Sequence, residues 1–294
     1  MPSLCESFRN EAGFVWNRMK KARTVGMRLG EETLTEIALL NIALAHPPTK
    51  VAIRLATKKD EAGHGGDWEW WFSHKGKGVG FRVQAKRLFP SGKYEGLFKK
   101  KKGAKPYDQL DTLVDAAKNA KPPLIPLYCF YNFPVGKSPF SARKNPCGNF
   151  RGPSFWGCSI AFPDDVKARQ SDELAKLVRI MRPWHALVCD SGEVDVVTSV
   201  RAFLRGAGKP DQTPRNLPPH VTHLIELDSE YWPANIGRTS PVLLCFAIYV
   251  SRDTVSQRHK RAVLRGVPSS RCRRLVRQRR PAAEQRYQVG RSTS

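Results

Sequence analysis

Apolar positions recur along the chain at two periods. Between Cys5 and Arg23, residues Phe8, Ala12, Val15, Trp16 and Met19 fall at helical spacing, and basic residues gather at the C-terminal end where the helix dipole favours them. From Glu31 to Ala45 an acidic first turn precedes a stripe of Leu34, Ala38, Leu39, Ile42 and Ala45, and His46-Pro47-Pro48 stops the helix. The period then changes to two. VAIRLATK (51–58) alternates as a strand would, and GGDWEWWF followed by VGFRVQAKRLF reads as a hairpin turning between Ser73 and Gly78. A helix over Pro106–Asn119 and an apolar strand over Leu124–Asn132 complete the order helix, three strands, helix, strand. That order predicts a mixed α/β layer fold with an αβββαβ core.

Past Asn132 the pattern weakens. Residues 133–160, rich in Pro, Gly, Asn and Ser, read as a long structured loop. A helix over 172–181, a strand near 185–189, a helix near 193–204 and a strand over 242–250 extend the same domain. The division that follows is an N-terminal amphipathic helix (1–27), a core (28–132), an extension of the same domain (133–251) and a tail (252–294).

Charge sharpens this picture. Among 294 residues, 50 Lys and Arg against 26 Asp and Glu give a net charge of +24, a balance that attracts polyanions. The Arg-rich tail, expected to be disordered, supplies +11 of it, so the first 251 residues are basic in their own right. No apolar run reaches the length of a membrane span, and the N-terminus lacks the apolar stretch of a signal peptide. Seven cysteines without a C-x-x-C pair suit reduced thiols. A cytoplasmic protein that does not engage membranes is expected.

The chemistry concentrates in the hairpin. With its loop centred on Lys75 and Gly76, Asp67 falls opposite Gln84, Glu69 opposite Arg82 and Trp70 opposite Phe81. One face then carries Trp68, Trp70, Phe72, Val79, Phe81, Val83 and Ala85; the other carries Asp67, Glu69, Arg82, Gln84 and Lys86. Facing Cβ atoms lie roughly 5 Å apart, so a carboxylate and an amide oxygen can converge on one hard cation such as magnesium. Lys86 projects beside them and can orient water or stabilise developing charge. The competing explanation is a wet polar face with Glu69 and Arg82 as a surface ion pair.

These residues resemble the signature of the PD-(D/E)XK, or restriction-endonuclease-like, nuclease superfamily: an Asp, a spacer, then (Glu/Gln)-x-Lys on the next strand, with a Glu on a preceding helix. GGDWEW followed by VQAKR is similar to the Gln variant of Mrr-type restriction enzymes, and GxDWEWW with QAKR also occurs in an uncharacterised bacterial family. The resemblance covers about residues 28–132. It implies a metal-dependent nuclease hydrolysing DNA phosphodiesters, with bacterial defence as a setting. Asp67 and Gln84 would be the metal ligands, for Mg2+ or Mn2+, and Lys86 the catalytic lysine. Glu32 would be the helix carboxylate, with Glu31 and Glu36 as competitors. Neutral Gln84 makes the site less negative than its acidic form, which weakens metal affinity.

Basic residues Arg87 and Lys99, Lys100, Lys101 and Lys102 follow the hairpin and suit non-specific phosphate contacts. DNA is the expected partner, with RNA the alternative and a homodimer left open. Trp71 is the one hairpin tryptophan that alternation leaves outside for a base contact. Gln109 is an accessory candidate against the simpler reading of a solvated helix residue. His185, His220 and His223 lack zinc spacing. DSGEVD (190–195) suits a helix cap. The alternative functions are a non-cutting nucleic-acid-binding module and an interaction protein on the same scaffold.

Overall fold

The computed structural model describes residues 2–98, 108–141, 143, 152–189 and 194–231. Lys99–Lys102, the strand expected over 242–250 and the tail lie outside them. The elements in chain order are α1 (Leu4–Thr24), α2 (Glu31–Ala45), β1 (Val51–Leu55), α3 (Lys58–His64), β2 (Trp68–His74), β3 (Lys77–Arg87), α4 (Asp108–Lys118) and β4 (Ile125–Tyr131). The extension adds β5 (Cys158–Ala161), α5 (Pro163–Arg169), α6 (Leu174–Leu177), β6 (Arg182–Pro183), α7 (Val196–Gly206), β7 (Arg215–Asn216) and α8 (Pro219–Tyr231). The αβββαβ order stands, with short α3 inserted between the first two strands. Thr57 begins α3 with a capping box, its hydroxyl accepting from Asp60 N while Asp60 accepts from Thr57 N.

The sheet runs β1-β2-β3-β4-β5-β6, with β7 joining the start of β3. Among the described residues the one parallel pair, β3 with β4, is bridged by α4, as a parallel connection requires. All other pairs are antiparallel. The hairpin register is the expected one: Glu69 faces Arg82, Trp70 faces Phe81 and Trp68 faces Val83. Lys75 (φ 49) and Gly76 (φ 75) form the two-residue loop, both left-handed, which matches the twist of the strands.

On one face of the sheet α1 supplies Phe8, whose ring centroid lies 5.5 Å from Trp70, 6.1 Å from Phe72 and 5.0 Å from Trp184. Trp184 in turn donates its indole N–H to the Phe8 carbonyl. All five expected α1 positions are buried, so this helix is a wall of the core rather than an appendage. Leu34, Ala38, Leu39 and Ile42 of α2 and Val196, Val200 and Leu204 of α7 join the same cluster.

The opposite face is also covered. Trp71 is 2% exposed, packed with Ala52, Ala117, Leu124 and Val221 under α4 and α8, which corrects the expectation of an accessible base contact. Its ring lies over Gly80, where a Cβ would come within 2.6 Å of Trp71 Cζ2. The strand expected near His185–Cys189 is a 3-10 helix, Trp184–Val188, and the helix expected over 172–181 is only the single turn α6. Asp195 caps α7 through Thr198 N. No helix among the described residues is long and apolar enough to cross a membrane.

Candidate active site

Two glycines deliver Asp67 to its place. Gly65 ends α3 in the left-handed conformation (φ 67), which costs a residue with a Cβ about 1–2 kcal/mol. Gly66 lies against the Arg82 stem, where a Cβ would fall 2.6 Å from Arg82 Cγ. Asp67 then bridges two strands: its N–H donates to Val83 O (2.7 Å) and its carbonyl accepts from Ala56 N (2.8 Å). Its side chain reaches along β3, and Oδ2 accepts from Ala85 N at 2.5 Å. This fixes the carboxylate beside the strand that carries Gln84 and Lys86 and leaves Oδ1 for a further partner.

The electrostatics of Asp67 are unusual. Burial raises its pKa to about 7, the Ala85 N–H and the Lys86 charge act against the rise, and Glu61 and Glu31 add to it. Gln84, 1% exposed, has neither its amide oxygen nor its amide nitrogen hydrogen-bonded. It is flanked on β4 by Tyr128, whose buried hydroxyl also has no partner; burial and then the charges of Asp111 and Asp67 push that phenol upward. Buried polar groups left open in this way each cost about 1–3 kcal/mol. Lys86 is 7% exposed, and its charge lowers both Asp67 and Glu31.

The helix carboxylate at this place is Glu31. Its Oε1 accepts from Arg87 N (3.2 Å), and its pKa is raised by burial against the charges of Lys86 and Arg87 and the Arg87 N–H. Glu32 and Glu36 are exposed, which corrects the assignment of Glu32. One residue of helical rotation, about 100°, separates the two positions, and only docking of α2 on the sheet chooses between them. Glu61 of α3 is an acidic neighbour that the sequence pattern did not single out; its charge reaches both Asp67 and Glu31. Its signal was present only as an acidic turn within a segment too short to read as a helix.

The inner half of the polar face is already occupied. Arg82 Nη2 meets Glu69 Oε1 at 2.7 Å and Arg82 Nη1 donates to Ala116 O at 2.7 Å. His220 Nε2, from α8, lies 3.3 Å from Glu69 Oε2. Burial alone would raise Glu69, but these contacts from His220 and Arg82 bring it to about 2. The pair is thus internal bracing, neither a surface ion pair nor part of a cation site. Gln109 is half-buried in α4 beside the Gly65 turn.

Among the described residues no three His, Cys, Asp or Glu side chains come together as a metal-ligand set. A divalent cation here would instead use oxygen donors of mixed type: the carboxylate of Asp67 and the open amide oxygen of Gln84, with the charge of Glu31 nearby. That donor set fits a hard cation such as magnesium, which keeps several waters and needs few protein ligands.

No curated protein matches the chain. The model of one family, described as a family of unknown function (DUF6615), matches residues 4–263, from the start of α1 to beyond α8. The glycine pair, the hairpin, the polar cluster at its open end and the covering helices therefore fall within one inherited unit, and the chain belongs to the DUF6615 family of unknown function.

Proposed function

We propose that this protein is a metal-dependent nuclease that hydrolyses DNA phosphodiester bonds at the cluster of Asp67, Gln84 and Lys86. One observation carries the reading. A buried carboxylate near neutrality stands beside a buried amide with no partner and a buried lysine, an arrangement costly to the fold and suited to a cation and a phosphate. The resemblance to PD-(D/E)XK nucleases in its Gln form supports it, as does the basic character of the chain.

Asp67 and Gln84 would hold Mg2+ or Mn2+, with Glu31 contributing negative charge from α2. The ion, when bound, acts as a Lewis acid toward the phosphoryl group and lowers the pKa of a coordinated water. The chain's own residues do the rest. The Ala85 N–H holds Asp67 through Oδ2, which leaves Oδ1 for the ion. Lys86, buried close to Asp67 and Glu31, would donate a hydrogen bond from Nζ to the phosphate oxygen on which charge develops.

Incubation with plasmid DNA over a magnesium titration tests the reading. Cleavage is expected, and Lys86→Ala should lower it by at least about a hundredfold, the loss typical of removing one such donor, while thermal unfolding and DNA binding stay near wild type. Binding without cleavage at any Mg2+ or Mn2+ concentration would instead favour a non-catalytic nucleic-acid-binding module. Undiminished cleavage by the Lys86→Ala protein would remove Lys86 from the chemistry.

A further inference from the structure

Glu31 has a second neighbourhood. The strand alternation that turns Lys86 toward Asp67 turns Arg87 the other way, into a recess of about 170 Å³ between the end of α1, residues 26–29 and the chain leaving β3. Arg23 from the last turn of α1 and Arg28 from the α1–α2 connection line the same recess. Two of these guanidiniums are braced on aromatic rings: Arg87 lies 4.2 Å from the centroid of Phe89 and Arg23 4.9 Å from that of Phe133. Met19 and Leu88 form an apolar floor.

The charges are not balanced within this recess. Arg23 Nη1 is buried and has no hydrogen-bond partner. Burial and the Arg87 charge both pull Arg23 downward. Burial also lowers Arg87, as does Arg28, while Glu31 and Glu95 act the other way. Arg87 thus stands against both Arg23 and Arg28, and Arg23 carries an open buried donor; planar guanidiniums gathered in one recess suit a phosphate, which they bind through paired N–H groups.

We propose that Arg23, Arg28 and Arg87 form a phosphate-binding pocket that grips one phosphate of a DNA strand close to the reacting one. The identity of the strand rests on the nuclease reading; the affinity of the pocket for phosphate does not depend on cleavage. Glu31 couples the two places, because the carboxylate that feels Lys86 also holds the backbone of Arg87.

The test is equilibrium binding of a short 3′-fluorescein DNA duplex in EDTA, by anisotropy, over a salt series, with a 5′-phosphate or a 5′-hydroxyl on the labelled strand. Arg23→Gln/Arg28→Gln is compared with Lys75→Gln/Lys77→Gln, a charge-matched change of exposed residues at the hairpin tip, the opposite end of β3 from Arg87. The pocket variant should bind at least about tenfold more weakly and lose about 2 from the salt slope, while the tip variant changes less than about twofold. Arg28→Gln alone, on an exposed side chain, should move in the same direction and guards against misfolding. A loss confined to the 5′-phosphorylated duplex places a terminal phosphate in the pocket; equal losses with both duplexes place an internal phosphodiester there. Equal weakening by pocket and tip variants, or no duplex binding by the wild type, overturns the pocket. Cleavage without a pocket effect would sink the pocket and leave the nuclease reading standing; a pocket effect without cleavage would do the reverse.

Discussion

Asp67 is expensive as an anion in the cation-free protein, and that cost has a pH signature. Its folded pKa of about 7 lies above the unfolded carboxylate value of about 3.9. The folded state therefore holds a proton that the unfolded state has released, and this contribution to stability is full below about pH 4 and lost as pH rises through about 7. Glu31, also raised, has the same sign; Glu69, brought to about 2, has the opposite sign and loses its contribution as pH falls toward 2. In EDTA, Asp67→Asn should consequently raise the melting temperature at pH 8 by more than at pH 5, as calorimetry would show. On the proposed reading a magnesium ion held by Asp67 displaces its proton, so the affinity should weaken by up to about tenfold per unit below pH 7, measurable by titration calorimetry. A flat profile would detach Asp67 from the cation. Gln84 makes a complementary case. Replacing its open amide by the similarly sized side chain of Met should stabilise the metal-free protein by about 1–2 kcal/mol in urea denaturation and abolish the magnesium-induced rise in melting temperature.

At the scale of the element, the hairpin shows how local rules place chemistry. A two-residue loop of the mirror-image type admits one register, and that register sets every side chain of β2 and β3 on its face. The Gly65–Gly66 pair performs the same service at the other end, stopping α3 and leaving space for Arg82. Gly65→Ala must hold a Cβ in the left-handed region, 3.2 Å from Leu113 N, and should cost about 1–3 kcal/mol in denaturant unfolding while reducing magnesium binding. Trp71 marks the limit of the element-level view. Alternation correctly set it opposite Trp70, yet a face can be polar at one end and covered at the other, and here α4 and α8 cover it. Helix α8 begins at a proline-rich turn and carries the His220 that meets Glu69, a contact with no local trace in the sequence.

For the whole molecule, the distinction between an N-terminal helix and a core does not hold physically. Phe8 fills a cage of Trp70, Phe72 and Trp184, joining the first helix to β2 and to the extension. Phe8→Ala should destabilise the protein by about 3–5 kcal/mol, read from urea unfolding, and should loosen the seat of Glu31, because α1 is tied to α2 through Glu11 with Asn41 and Ser7 with His46. The extension is likewise structural: β5 and β6 continue the sheet from β4, and Asn132, fully buried, donates to Trp156 O and Ser159 Oγ across that join.

Periodicity alone determined the two leading helices and the hairpin with its register, because each depends on separations of a few residues where backbone geometry dictates direction. Tertiary packing decided the rest. Whether Glu31 or Glu32 meets the end of β3, whether Trp71 sees water, and which cations surround Arg87 depend on how a helix docks across tens of residues. Rotations of one position there are nearly neutral in local propensity and are settled only by burial against the sheet.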